Sequence, residues 1–146
     1  MLKPDEQLGY LLTQASFLKQ RITNAALKEL DITYMQFIIL AGIFELGDDG
    51  ELVTQQVIST KRRLDKAMVS NVVKTLIEKE LITRDTHPID KRAYILKLTK
   101  QGAEKAAEGK MIAHNIDKEF FSGIDCDVFS QSLRTLLINN NNNDEQ

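Results

Sequence analysis

The sequence predicts a mainly α-helical fold that contains one β-hairpin. Apolar residues recur at three- and four-residue steps through most of the chain, which is the spacing of amphipathic helices. Two short alternating segments, 81–85 and 93–98, are typical of strands, and Pro88 lies in the polar loop between them. A polar-faced helix directly precedes this basic-tipped hairpin. We therefore expect a winged helix-turn-helix, with further helices at both ends of the chain.

The N-terminal third is predicted to form two helices. The first extends over about residues 5–30, and the Thr33-x-x-Gln36 capping box opens the second. Gly47 is expected to end that second helix, and Leu52–Val53 is expected to be a very short strand. The apolar residues predicted to be buried in the second helix are Phe37, Ile38, Leu40, Ala41 and Phe44.

The middle of the chain carries the helix-turn-helix and hairpin signals. Thr54 is a predicted N-cap for a helix to about Lys61, and Asp65 for a helix to about Lys79. Strands are expected at Leu81–Asp85 and Ala93–Leu98.

The C-terminal part is predicted to be helical and to end in an unstructured tail. Thr99 would cap a helix through about Lys118, and a last helix would cover about Asp125–Ile138. The tail 139–146 is rich in Asn and is expected to be disordered. The residues predicted to form the apolar faces of these two helices are Ala103, Ala106, Ala107, Met111, Val128, Phe129, Leu133, Leu136 and Leu137.

The charge distribution favours a polyanionic partner. The formal net charge is −2, but residues 54–105 carry 12 basic and 6 acidic side chains, and the remainder carries 7 basic and 15 acidic ones. A basic middle between acidic ends can face nucleic acid with its middle. Ordinary scatter of surface charge is the alternative explanation.

Several function classes have no support in the sequence. Cys126 is the only cysteine, and His87 and His114 are the only histidines, which excludes an internal disulfide framework and leaves little for a metal site. Because no nucleophile–base pair or phosphate loop is present, we expect neither an enzyme nor a cofactor. There is no apolar run of about 20 residues and no signal peptide. A cytoplasmic protein without membrane contact is expected.

The helix after Asp65 presents a polar face that suits base recognition. Ala67, Ser70, Asn71 and Lys74 are spaced i, i+3, i+4 and i+7, and Lys66 precedes them. Asn can pair with adenine, Lys can reach guanine acceptors, and Ala can contact a thymine methyl. We also assign Arg62, in the basic connection before this helix, to the DNA contacts. The alternative is a solvated helix face.

The loop 87–92 is the candidate wing. Arg92 would enter a narrow minor groove, and Lys91 would contact a phosphate. Asp90 cannot attract phosphate, so its carboxylate is expected to hold Arg92 in place. An ordinary hairpin loop with a surface ion pair is the alternative.

The terminal helices raise the question of assembly. They are apolar along one face but lie at opposite ends of the chain. The simplest solution is that they pack together and against a second copy, so that two winged helices read a two-fold site. A monomer whose terminal helices cover the winged helix is the alternative.

The motifs together resemble the MarR-type transcriptional regulators. The resemblance rests on the run from Thr54 to Arg84, on Asp90-Lys91-Arg92, and on Leu98-Thr99-x-x-Gly102. It spans about residues 5–138 and implies one domain over residues 1–138, in which about 33–99 bind DNA and about 5–30 and 100–138 dimerise. It further implies an obligate homodimer on double-stranded DNA at a palindromic promoter site, with Asp90 and Arg92 as the wing pair and Lys66–Lys74 as the recognition helix.

The resemblance leaves two questions open, the helix end at Glu80 and the site of an effector. The family usually has Gly where this chain has Glu80, so a strained left-handed residue or a different helix end is expected. Many members respond to a small-molecule effector, but no ligand-binding residue is identifiable here. Aromatic residues that would suit a cleft are predicted to be core instead: Tyr10, Phe17, Phe37 and Phe44. From the resemblance as a whole we expect a repressor. A winged-helix module for protein–protein contact is the competing hypothesis.

Overall fold

The mainly α winged-helix fold is confirmed. The computed structural model describes residue 1 and residues 3–141, without the side chains at 4 and 5. Within them the helices are α1 Pro4–Leu27, α2 Tyr34–Asp48, α3 Gln55–Arg62, α4 Lys66–Glu78, α5 Lys100–Phe120 and α6 Cys126–Asn139. The strands β1 Ile82–Thr86 and β2 Tyr94–Leu98 pair antiparallel in a two-stranded sheet, with Ile82 opposite Leu98.

Side chains begin the helices where the sequence predicts. The hydroxyl of Thr33 accepts from the backbone N–H of Gln36 at 3.1 Å, and the Gln36 side chain accepts from the N–H of Thr33 at 3.0 Å. Thr54, Asp65 and Thr99 each accept one hydrogen bond from the first turn of α3, α4 and α5. These caps satisfy amide groups that have no partner inside the helix.

The first helix ends earlier than predicted. After Leu27 the chain tightens into a 3₁₀ turn over Lys28–Leu30, and Asp31 takes the left-handed conformation with φ of 56°. The N–H of Ile32 reaches the carbonyl of Leu27 at 3.5 Å, which closes the helix end.

The core surrounds α2, which contacts α1, α3, α4, α5 and β2. Its Ile39 and Leu40 are fully buried. In α4 no more than 1% of the surface is exposed at Val69, Val73 and Leu76. The prediction for Phe44 is wrong, because its ring is 43% exposed and lies under the ammonium group of Lys110 at 5.2 Å. Ile38 is only half-buried.

The connection between α2 and α3 also differs from the prediction. Helix α2 continues through Gly47 to Asp48, and Gly50 makes the turn with φ of 84°. The expected strand at Leu52–Val53 is not formed. Instead the N–H of Leu96 donates to the carbonyl of Val53 at 2.7 Å, a single hydrogen bond with no ladder around it.

The apolar faces of the terminal helices remain open in the single chain. Helix α6 buries no residue, and Val128 and Leu136 are 63% and 52% exposed. The predictions that α6 buries its apolar face and that Ala107 and Met111 belong to a packed face of α5 are therefore wrong for one chain. The cause is that the rest of the described chain covers these faces only in part, as where the ring of Phe129 lies 5.9 Å from that of Phe121.

Two further predictions concern the chain ends and membranes. Asn139 is the last residue of α6 rather than the first of a tail, and residues 142–146 of the predicted disordered tail lie outside the described residues. None of the described helices could cross a membrane singly, although α1 and α2 pass that test of length and composition as a bent pair.

Candidate nucleic-acid interface

Helix α4 presents the polar face that the sequence predicts. Asp65 starts the helix by accepting from the N–H of Met68 at 2.9 Å. Val69, Val73 and Leu76 are buried against the core and fix the rotation of the helix about its axis. Five predicted site residues are all exposed and share the outer side: Lys66, Ala67, Ser70, Asn71 and Lys74.

The hairpin loop exposes the wing residues. The Arg92 side chain is 94% exposed, and Lys91 is exposed as well. Oδ1 of Asp90 accepts from the backbone N–H of Arg92 at 3.0 Å and lies 3.5 Å from its Nε. The expected contact between Asp90 and Arg92 is therefore present, and its shorter hydrogen bond holds the backbone of Arg92.

A histidine that sequence reasoning left out of the site also shapes this loop. Nδ1 of His87 accepts hydrogen bonds from the N–H groups of Ile89 at 3.1 Å and Asp90 at 3.0 Å. The sequence signal that could have identified His87 is a side chain with an acceptor at the start of a turn that contains Pro88. Such a side chain can accept from the backbone N–H groups two and three residues later.

A left-handed residue joins α4 to the wing. Glu80 has φ of 60°, so of the two alternatives expected here the structure has the left-handed residue and not a different helix end. Its N–H donates to Ile77 and that of Leu81 to Leu76, both at 3.0 Å, which is a Schellman ending.

The start of α5 is fastened to this same joint. The Thr99 hydroxyl donates to the Glu80 carbonyl at 2.9 Å, and the Thr99 N–H donates to the Leu81 carbonyl at 3.0 Å. A Cβ on Gly102 would lie 1.9 Å from that Leu81 oxygen. The Leu-Thr-x-x-Gly motif thus has a structural cause, because only glycine allows the two backbones to approach this closely.

The structure does not bring Arg62 to the outer face of α4. Its guanidinium Nη2 lies 2.7 Å from Oε2 of Glu45 in α2, and Oε1 of Glu45 lies 3.3 Å from Nζ of Lys110 in α5. Glu45 therefore links α3, α2 and α5. The ion pairs border a cleft of about 320 Å³ whose lining also includes Phe37, Ala41 and His114.

The aromatic residues that are predicted to be core differ in their burial. Phe37 is buried and lines that cleft from the core side, whereas Tyr10 and Phe17 are 68% and 59% exposed on α1. The prediction that these two belong to the core of the chain is wrong. In one chain the surface of α1 on which they lie is open to solvent.

A helix with an exposed polar face, joined through a fixed turn to an arginine-tipped hairpin, defines a winged helix-turn-helix protein. The sequence pattern of the family described as transcriptional regulator SarA/Rot matches residues 21–108. The HTH-type transcriptional regulator YdcH of Bacillus subtilis is 39% identical over 92% of either chain. The organic hydroperoxide resistance transcriptional regulator of the same organism is 29% identical over 93% of this chain and 90% of its own.

Solved structures agree with these sequence relatives. A mutant MarR of E. coli in complex with operator DNA has a TM-score of 0.75 and 26% identity, and the match covers 90% of this chain and 91% of that one. A MarR-family regulator from Listeria monocytogenes, solved with a 26mer DNA, reaches a TM-score of 0.80 at 18% identity, over 99% and 93% of the two chains, and supports the fold alone. The chain belongs to the MarR-type family of winged helix-turn-helix transcriptional regulators.

Proposed function

We propose that this regulator is a homodimer that binds a palindromic promoter site on double-stranded DNA in the cytoplasm, and that it acts as a repressor rather than an enzyme. The observation that carries the proposal is the exposed polar face of α4 beside the exposed Arg92 of the wing. The MarR structure with operator DNA, at 26% identity, supports the same mode of binding.

Helix α4 is the proposed reader of the major groove. Asn71 and Lys74 have the side chains that pair with adenine and guanine edges, and Ala67 offers a methyl contact. Lys66 and Ser70, near the helix N-terminus, suit phosphate contacts. Because Val69, Val73 and Leu76 anchor the opposite side, the outer face is presented with a defined orientation.

The wing is the proposed second contact. Arg92 would enter the minor groove, and Lys91 would neutralise a flanking phosphate. Asp90 places one negative charge in this surface, and its two contacts to Arg92 account for its presence. Arg62 makes no base contact in this proposal, since its guanidinium pairs with Glu45.

Dimerisation is proposed from the open apolar faces of α1 and α6. Their exposed large side chains would otherwise form an extensive apolar surface in water, which is unusual for a monomer. A second copy could cover these faces and place two α4 helices about one turn of DNA apart. The side chains concerned are Leu8, Tyr10, Leu11, Leu12, Phe17, Leu18, Ile22, Val128, Phe129, Leu136, Leu137 and Ile138.

A small-molecule effector is proposed to act at the cleft beside Glu45. The cleft lies between α2 of the core and α5, and Arg62 of α3 borders it. A ligand that displaced Glu45 from Arg62 or Lys110 would loosen the link between the helix-turn-helix and α5. Such a ligand changes DNA affinity only by its preference for one of the two arrangements.

Selection of bound sequences from a random duplex pool tests the proposal. The expected result is a two-fold symmetric motif with half-sites about one helical turn apart, whose affinity falls steeply with salt. Sedimentation of the free protein checks the dimer. Absence of any salt-sensitive duplex binding would refute the proposal and would favour a winged helix that binds another protein.

A further inference from the structure

We infer that His87 is a positioning residue of the wing, and that its neutral imidazole holds the loop in the shape that presents Arg92. The inference deepens the proposed function and rests on it for the DNA contact. It does not rest on it for the shape of the loop, which is a property of the free protein.

The contacts of the imidazole define its protonation state. Nδ1 accepts from two backbone N–H groups, those of Ile89 at 3.1 Å and Asp90 at 3.0 Å. A ring nitrogen accepts only through its lone pair, so these contacts require an unprotonated Nδ1. Neutral His87 therefore acts as asparagine or aspartate does in many turns, where a side chain accepts from the backbone two residues ahead.

The contacts of Asp90 extend this order to Arg92. The N–H of Asp90 donates to Nδ1 of His87, and Oδ1 of Asp90 accepts from the backbone N–H of Arg92 at 3.0 Å. The carbonyl of Asp90 accepts from the N–H of Ala93 at 3.1 Å, and the N–H of His87 donates to the Ala93 carbonyl at 3.4 Å. Loss of the His87 contacts would release the backbone that carries the carboxylate of Asp90.

Few other groups hold the wing in place. Pro88 has no N–H to donate, and Arg92 is exposed. A shallow pocket brings Lys61 of α3 and Asp90 of the loop to the same lining as His87, with uncharged Thr54, Gln56 and Thr60 around them. These are the charged and polar groups that share this surface with the ring.

Protonation of the ring would turn Nδ1 from an acceptor into a donor. The N–H groups of Ile89 and Asp90 would then lose their partner and face a second donor. Imidazole side chains in general change charge within about pH 5 to 8, so two pH values that span most of this range test the exchange of an acceptor for a donor. Operator affinity is therefore expected to fall as the pH is lowered.

The experiment compares wild type with His87→Asn and His87→Ala on a selected operator at pH 7.5 and 5.5 and constant salt. Asparagine keeps an acceptor that does not titrate, and alanine removes it. We expect His87→Ala to bind about tenfold more weakly at pH 7.5, the scale of one or two lost hydrogen bonds. His87→Asn should bind within about twofold of wild type and lose the pH response that wild type shows. Asp49→Asn, which removes an exposed carboxylate in the turn after α2, away from the wing and the cleft, is the matched control and should retain that response.

The amide resonances of Ile89, Asp90 and Arg92 in the free protein give a readout without DNA. They should move together with pH in wild type and stay in place in His87→Asn. Equal binding by His87→Ala and wild type, or an unchanged pH response in His87→Asn, would overturn the inference. If wild type bound no duplex, the proposed function would fail, and the amide titration would still decide whether His87 orders the loop.

Discussion

Replacing Glu80 by glycine should stabilise the protein. Glu80 has φ of 60°, a left-handed conformation that costs an L-residue about 1–2 kcal/mol and costs glycine almost nothing. The hydrogen bonds at this joint use only the N–H and carbonyl of residue 80, so glycine keeps them. Glycine also has more conformational freedom in the unfolded chain, which reduces this gain in stability by about 0.5 kcal/mol or more. The net expectation for Glu80→Gly is about 1 kcal/mol of added stability.

Glu80→Ala separates the backbone effect from the side-chain effect. Alanine keeps the left-handed strain and removes the exposed carboxylate, so its free energy of unfolding should stay within about 0.5 kcal/mol of wild type. Urea and thermal denaturation at one protein concentration measure both variants, and about 3 °C in Tm is expected for Glu80→Gly. If Glu80→Ala stabilised as much as Glu80→Gly, the carboxylate and not the backbone strain would be the cause. Asp31 and Arg63 are also left-handed but are less suitable, because their side chains contact Lys79 and Asn141.

Four further predictions address the site and its support. Arg92→Ala should weaken operator binding by about 1–3 kcal/mol and leave the sedimentation of the dimer unchanged; unchanged affinity would refute the wing contact. Asn71→Ala should relax the preference at one position per half-site in a repeat of the selection, whereas uniform weakening would place Asn71 on the backbone. Gly102→Ala should destabilise the protein by about 1–3 kcal/mol, because its Cβ would lie 1.9 Å from the Leu81 oxygen. Gly47→Ala has open space around its Cβ, so it should stabilise the protein by about 0.5–1 kcal/mol in the same denaturation assay. Glu45→Gln should weaken the contacts to Arg62 and Lys110 and make amide exchange in α3 faster, and protection equal to wild type would exclude a linking role for Glu45.

Local signals predicted the helices and the hairpin because each one acts within a few residues. Thr33, Thr54, Asp65 and Thr99 all cap helices through their own side chains, and such bonds need no distant partner. The outer face of α4 followed from the 3.6-residue period. The glycine that family members usually have at the position of Glu80 predicts either a left-handed residue or a different helix end, and the first of these forms.

The errors occurred where the outcome depends on a distant partner. Phe44 has the right period for burial, but Lys110 from α5 covers its ring at the surface. The sequence likewise gives no sign that Glu45 from α2 pairs with the guanidinium of Arg62, whose assignment to the DNA contacts stays a prediction. The apolar residues of α6 stay largely exposed in one chain, apart from a ring contact of Phe129 with Phe121, so periodicity alone could not say what would cover them. The role of His87 depends on the geometry of the turn, which a pattern of residue types does not specify.

The close approach of Gly102 to Leu81 makes the hairpin a rigid extension of α5. With 21 residues, α5 is about 31 Å long. If its distant end acts as a pivot, a rotation of about 5° moves the wing by about 3 Å, roughly the length of a hydrogen bond. A rotation of a few degrees about the distant end of α5 is therefore enough to move Arg92 out of register with a groove.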